Sequence, residues 1–345
     1  MNTAMQASHA RGTYGTSPQP LVLSGHTRIV YTIAFLPDGN QLVSGSMDGT
    51  VRTWGMEQGR EIRSPINCNG IVSTIAVSDD GRWIATGGEK RCVVLWDAAT
   101  HEKVGEAAQG HMGAVECLSF SADAAQVVSG AGDTTIVVSR VPTGERLAGP
   151  FRGHVDAITS VVFSPDCDRL ASTDLQDVRI WDSQSGTLVL PLIDLHAWSL
   201  AWAPVPNDRL LYAACDTRIV CIDVSTGAVC LEWTAHPLPI TCIALSRDGQ
   251  LIASSSNYAR TVQLWSTVTQ QECIPALQHS SYVRCVAVSP DGSHVISGGE
   301  DNTVYIWPIR DNLARIKEAA SPSTTVCDVH YLFKLLTMFQ GNRRC

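Results

Sequence analysis

The sequence contains no run of 18 apolar residues, so no transmembrane helix is expected. Its first ten residues, Met1 to Ala10, have no apolar segment of the kind a secretory signal requires. No Asn-x-Ser/Thr glycosylation acceptor occurs anywhere. The expected location is therefore cytoplasmic, with the nucleus also open, and not secreted. The 12 cysteines never form Cys-x-x-Cys, so neither a zinc site of the usual spacing nor a thioredoxin-type motif is supported. Cys92 in CVVLW and Cys242 in TCIAL lie in apolar, strand-like runs and read as reduced core thiols. The phosphate-binding loop, the His-Glu-x-x-His helix and the Gly-x-Gly-x-x-Gly fingerprint are all missing. Asp79-Asp80-Gly81 and Asp291-Gly292 are turn residues without the remaining spacing of a calcium loop. No metal, cofactor or catalytic residue is expected. Charge is also sparse, at 17% of residues, and Lys plus Arg (25) falls short of Asp plus Glu (33) for a net charge of −8. That balance does not suit a nucleic-acid binder, which needs clustered cations, and it favours a partner with basic patches.

What the sequence does have is enough apolar material (44%) for a substantial core, and a repeat. A length of 345 residues ordinarily suggests two domains, but a closed array of repeats overrides that prior. One apolar marker recurs at Phe35, Val77, Phe120, Phe163, Trp202, Leu245 and Val288. A second follows about 19 residues later at Trp54, Trp96, Ser139, Trp181, Ile222, Trp265 and Trp307. Both step by 39 to 43 residues and agree on seven units. A third marker, His26, His111, His154, His236 and His279, precedes the first by nine residues in five units. Within a unit, alternating runs such as VYTIAF (Val30 to Phe35) end in turn signals such as Pro37-Asp38-Gly39. Four such strands per unit and seven units predict an all-β, single seven-bladed β-propeller of four antiparallel strands per blade.

These residues resemble the WD-repeat family. Gly25-His26, Gly110-His111 and Gly153-His154 match its glycine-histidine turn. Trp96-Asp97 and Trp181-Asp182 match its Trp-Asp end, and SGSMDGTVRTW (Ser44 to Trp54) and SGGEDNTVYIW (Ser297 to Trp307) match the segment between. The resemblance covers residues 20–310. It implies that an N-terminal strand completes the last blade, and Pro20-Leu-Val-Leu23 stands in the right place to do so.

His, Ser and Asp recur together, which invites a hydrolase reading. A triad is needed only once, however, with an accessible nucleophile, so repetition argues for a structural network. The resemblance implies that this network joins His26, Ser44, Asp48 and Trp54; His111, Ser129 and Asp133; His154 and Trp181; and His279, Ser297, Asp301 and Trp307. The second unit has Cys68 and Lys90 at the His and Asp positions but keeps Thr86 and Trp96. The fourth has two candidates for its Asp, Asp174 and Asp177. The sixth carries an extra residue in Asn257-Tyr258-Ala259-Arg260.

In the fifth unit, counting back nine from Trp202 reaches Ile193, so His196 is not the turn histidine. HAWSLAW aligns with IVYTIAF, which sets His196 opposite Ile29 and Trp198 opposite Tyr31. The resemblance puts these positions at the face where partners dock. Corresponding positions hold Glu116, Thr159, Tyr282 and Arg284, so the candidate rim is His196, Trp198, Tyr282, Arg284, Glu116 and Tyr31, with Arg28 and Tyr258 as weaker members. The competing reading of Trp198 is that it packs into a shortened blade.

The expected function is a non-catalytic scaffold or recognition module for proteins or peptide segments, within a multiprotein complex. Two rivals stand beside it. One is a substrate receptor of a cullin-type ubiquitin ligase, though Trp96-Asp-Ala-Ala99 and Trp181-Asp-Ser-Gln184 lack the Arg that such receptors often carry, and no F-box precedes the ring. The other is an enzyme with a site in the central channel. Residues 1–19 read as disordered. Residues 311–345 form a tail whose apolar stretch, Val329 to Phe339, is too short to span a bilayer. It reads as flexible or packed on the propeller, as a partner-binding helix, or as a membrane-surface contact.

Overall fold

The runs that alternate in sequence are strands in a computed structural model, which describes residues 19–107 and 110–310. The expectations for the tail at 311–345 and for a disordered 1–19 (Gln19 apart) fall outside the described residues. Within the described span, the strands form seven antiparallel sheets, one per sequence unit. Their inner strands are Val30–Phe35, Val72–Val77, Val115–Phe120, Ser160–Phe163, Ala197–Trp202, Ile240–Leu245 and Val283–Val288. We number the blades one to seven in that order. Each inner strand packs against those of its two neighbours, and blade 7 packs against blade 1, so the array is a closed propeller.

Closure uses the predicted strand. Leu21–Ser24 pairs antiparallel with Thr303–Pro308 as the outermost strand of blade 7, Leu21 opposite Ile306 and Ser24 opposite Thr303. Leu23 is 2% exposed and packs with Val30 and Ile33 of blade 1 and Ile296 and Val304 of blade 7. One short strand therefore ties the two ends of the ring together and covers the edge of Thr303–Pro308. Blade 4 departs from the four-strand pattern. Three of its strands pair in full, and its outer edge is reduced to two isolated bridges, Val178 with Ile193 and Trp181 with Leu188.

The second strand of each blade is buried on both faces, because neighbouring blades cover both sides of it. Gln41–Ser46, Trp83–Gly88 and His294–Gly299 share one burial pattern, with five buried residues in a row. This selects small residues, hence SGS, TGG and SGG at the strand ends. A Cβ added at Gly45 would lie 2.7 Å from both Ile75 Cδ1 and Val72 Cγ1 of the next blade. Each apolar cluster spans two adjacent blades. Val43, Val51, Ile75, Ile84 and Trp96, for example, join blades 1 and 2. The core is thus a ring of interfaces between blades.

Candidate functional site

Both the turn before each inner strand and the turn after each second strand lie at one end of the propeller, because those two strands are antiparallel neighbours. The recurring His stands in the first turn and the recurring Asp in the second. In blade 1, Trp54 Nε1–H donates to Ser44 Oγ at 2.8 Å, and Ser44 Oγ lies 2.7 Å from His26 Nε2. His26 Nδ1 lies 2.9 Å from Asp48 Oδ2. The chain closes with neutral imidazole: Nδ1–H donates to the carboxylate, and Nε2 accepts the Ser44 hydroxyl proton. Asp48 also accepts from the Thr27 N–H and the Thr50 hydroxyl. Burial alone would raise the Asp48 carboxyl, but the hydrogen bonds from Thr50, Thr27 and His26 outweigh it and hold the group down at about 2. Burial pulls His26 below the usual histidine value against the pull of Asp48. Ser44 is 0% exposed and its oxygen is already engaged by Trp54 and His26, so it offers no open nucleophile.

The other blades vary this network in physically consistent ways. Blade 3 keeps His111, Ser129 and Asp133, and its Ser139 leaves Ser129 without an indole donor. Blade 4 resolves the open assignment. Asp174 Oδ2 accepts from the N–H of Val155, the residue after His154, as Asp48 does from Thr27. Asp177 instead takes the guanidinium of Arg179. His154, Asp174 and Asp177 bring their donor atoms within 4.8 Å of one another, but backbone N–H groups and Arg179 already occupy the carboxylates. In blade 7, Ser297 bridges His279 and Trp307, while Asp301 accepts from Ser280, Thr303 and Tyr305. In blade 6, His236 and Trp265 meet Ser254, but Tyr258 stands four residues after Ser254, where Asp48 stands after Ser44. The next residue, Pro237, has no N–H to donate to a carboxylate, and His236 Nδ1 has no hydrogen-bond partner among the described residues. Blade 2 retains Trp96 Nε1–H donating to Thr86 Oγ1 at 2.9 Å, and the Cys68 thiol at the histidine position meets the same Thr86 hydroxyl.

Blade 5 replaces the whole network. By register, Ala213 stands where Ser44 does and Ile222 where Trp54 does, and Ile193 fills the histidine position. All three pack in one apolar cluster with Leu200 and Leu211. Replacing every partner together leaves no stranded polar group, which is why the blade tolerates the loss.

The candidate rim has a local cause that the sequence reading did not state. Pairing slips by one residue near the start of six of the seven inner strands. Val30 faces Ser46, but Thr32 faces Gly45, so Tyr31 is an extra, bulged residue. The same slip singles out Ser73, Glu116, Trp198, Thr241 and Arg284. A bulge re-aims its side chain and sharpens the local twist. These residues lie four before the first sequence marker, an offset that would have added Ser73 and Thr241 to the candidates.

Tyr31, Ser73, Glu116 and Arg284, the bulged residues of blades 1, 2, 3 and 7, line one cavity of about 420 Å³ with Ile71, Glu89 and Ala114. Arg284 also pairs with Glu300, its Nε donating to Oε1 at 3.1 Å. Glu89 and Glu116 have no ion pair or hydrogen bond among the described residues. Burial raises the Glu116 carboxyl above its ordinary value. Trp198, His196 and Tyr282 do not line this cavity. Trp198 is 43% exposed. His196 is exposed. Tyr282 meets Tyr258 edge-on at 5.8 Å and lies under the Arg260 guanidinium at 5.1 Å.

Six segments, residues 18–55, 60–97, 104–138, 145–182, 227–266 and 271–308, match the family model of the WD domain, G-beta repeat. The unmatched stretch, 183–226, holds most of the apolar fifth blade. The chain is 26% identical over 315 residues to a guanine nucleotide-binding protein subunit beta of Arabidopsis thaliana, covering 83% of this chain and 82% of that one. It is 34% identical over 115 residues to the U3 snoRNP-associated protein-like YAO of the same plant, covering 28% of this chain and 23% of the relative. A WD repeat and SOCS box-containing protein 1 of Xenopus tropicalis is 31% identical over 104 residues, covering 29% of this chain and 25% of its own length. With the latter two, the chain thus spans about a quarter of the relative's length.

Proposed function

This chain belongs to the WD-repeat family, and from that premise we propose that it is a non-catalytic scaffold or recognition module whose partners are proteins or peptide segments. One observation carries the reading. Met112, Val155, Trp198, Leu238 and Tyr258 are 75%, 74%, 43%, 41% and 60% exposed, and all lie at the same end of blades 3 to 6. An arc of large apolar side chains across four consecutive blades is what an interface core is made of, whereas single exposed residues scattered over a surface need no explanation. The scaffold holding the arc is a closed ring of sheets, so little entropy is lost in ordering it for a partner. The subunit beta relative, aligned over most of both chains, supports the place of this chain within a multiprotein complex. A cytoplasmic or nuclear location is part of the same proposal. The ten described cysteines, all free of disulfides, support it, and recovery of a tagged chain from the secreted fraction would overturn it.

The test is quantitative affinity capture with wild type and a Trp198→Ala/Tyr258→Ala variant. Both side chains are exposed, so the variant should melt with wild type. The reading predicts a partner held by wild type and lost, about tenfold or more, from the variant. Equal capture of every partner by both would refute this face as the docking surface.

A further inference from the structure

The cavity at the channel mouth differs chemically from the apolar arc. Its walls are Tyr31, Ile71 and Ala114, with Ser73 between blades 1 and 3, and its charged groups are Glu89, Glu116 and Arg284. Arg284 is already answered by Glu300. Two carboxylates therefore face the cavity with no cation of their own among the described residues. Of the bulged residues, only Glu116 and Arg284 carry charge, and Arg284 is the one that is neutralised. The mouth combines excess negative charge, an aromatic wall and aliphatic surface in a space large enough for a long side chain.

That set of features fits one kind of occupant. A lysine or arginine has an aliphatic stem, which packs on apolar surface, and a cationic head, which needs carboxylates or an aromatic face. An acidic head would meet repulsion from Glu89 and Glu116, and a purely apolar one would bury both carboxylates without compensation. We propose that the channel mouth receives a lysine or arginine side chain from an extended peptide of the partner, with Glu89 and Glu116 as its counter-charges and Tyr31 as its aromatic wall. The raised Glu116 carboxyl agrees with a group awaiting a cation, since an opposite charge would bring it back down. The apolar arc then takes the flanking residues of the same peptide. This inference rests on the reading of this face as the partner-binding face, and it adds what the partner must present there.

The experiment uses the full chain and three immobilised peptide libraries with identical random flanks. The central residue is fixed as arginine, lysine or the neutral norleucine. Wild type is expected to retain the arginine- or lysine-centred library about tenfold more than the norleucine one, with the preference shrinking as salt is added. Glu89→Gln/Glu116→Gln should bring that ratio close to one while leaving the melting temperature unchanged, because neither carboxylate holds a structural partner among the described residues. Trp198→Ala/Tyr258→Ala should lower retention of all three libraries and keep the ratio. A wild-type ratio near one, or a ratio that survives the double Gln substitution, overturns the inference. If the ratio is one and retention still falls with Trp198→Ala/Tyr258→Ala, the docking face stands and only the basic side chain is refuted. If no library is retained by wild type, the peptide mode of recognition falls as well.

Discussion

Ser44→Ala removes one hydroxyl and strands two buried groups. Trp54 Nε1–H loses the oxygen it donates to at 2.8 Å, and His26 Nε2 loses its partner at 2.7 Å. Trp54 is 1% and His26 6% exposed, so water cannot replace the lost bonds without opening the blade. Each stranded group costs about 1–3 kcal/mol, which puts the loss at about 4 kcal/mol. The same chemistry elsewhere in the ring serves as an internal control. Ser129→Ala strands only His111 Nε2, because Ser139 occupies the tryptophan position. Thr86→Val strands Trp96 Nε1–H and otherwise loses only the weak thiol contact of Cys68, which occupies the histidine position. Each of these should cost about half as much, roughly 2 kcal/mol. Urea unfolding followed by tryptophan fluorescence gives the comparison as shifts in midpoint at constant slope. If Ser44→Ala shifts the midpoint no more than the two controls, the hydroxyl does not join Trp54 and His26 in one network, and the account of the repeated histidines is wrong.

Removal of residues 1–24 should expose the Thr303–Pro308 edge of blade 7 and the pocket of Leu23. The expected result is a lower melting temperature and concentration-dependent association by light scattering; a monomer that melts with wild type would contradict the closure role of that strand. The stability should also fall on mild acidification. Burial lowers His236 and His279 to about 4 from 6.5, so the folded chain binds fewer protons than the unfolded one in that window. Stability from these groups is complete above about 6.5 and declines as the pH drops toward 4. A second decline sets in below 3.8, where the carboxyls of Asp48 and Asp291 take up protons in the unfolded chain but, held at about 2, resist protonation in the folded one. Urea midpoints at a series of pH values check this, and a midpoint that stays flat between neutral pH and 4.5 would rule it out.

The propeller and its seven units could be read from the sequence, because blade geometry depends on local features that repeat, whereas the closing strand was expected from the family resemblance. Turn residues, alternating apolar positions and a fixed spacing between His26 and Trp54 all lie within one unit. The fifth unit was also legible as a departure, since Ile193 replaces the histidine nine residues before Trp202. What the sequence left open depends on contacts between units or on geometry within a turn. The turn of the fourth unit is one residue short, so neither Asp174 nor Asp177 keeps the spacing of Asp48 from His26, and the bond from the Val155 N–H separates them. Asp301 matches Asp48 by position, yet Tyr305 and Ser280 engage it in place of the His279 ring. The candidate rim was found by alignment to Tyr31 and Trp198 without its cause, a one-residue bulge near the start of the inner strands. Ser73 was marked only by its offset of four residues before Val77, and nothing in its own unit marks Glu89. They become part of a site only when closure of the ring carries blades 7, 1, 2 and 3 around one mouth. Periodic sequence therefore determines each blade, since strand and turn preferences act over a few residues. The chemistry of the channel mouth was decided by tertiary structure, because it is assembled from side chains on separate blades that meet only when the ring closes.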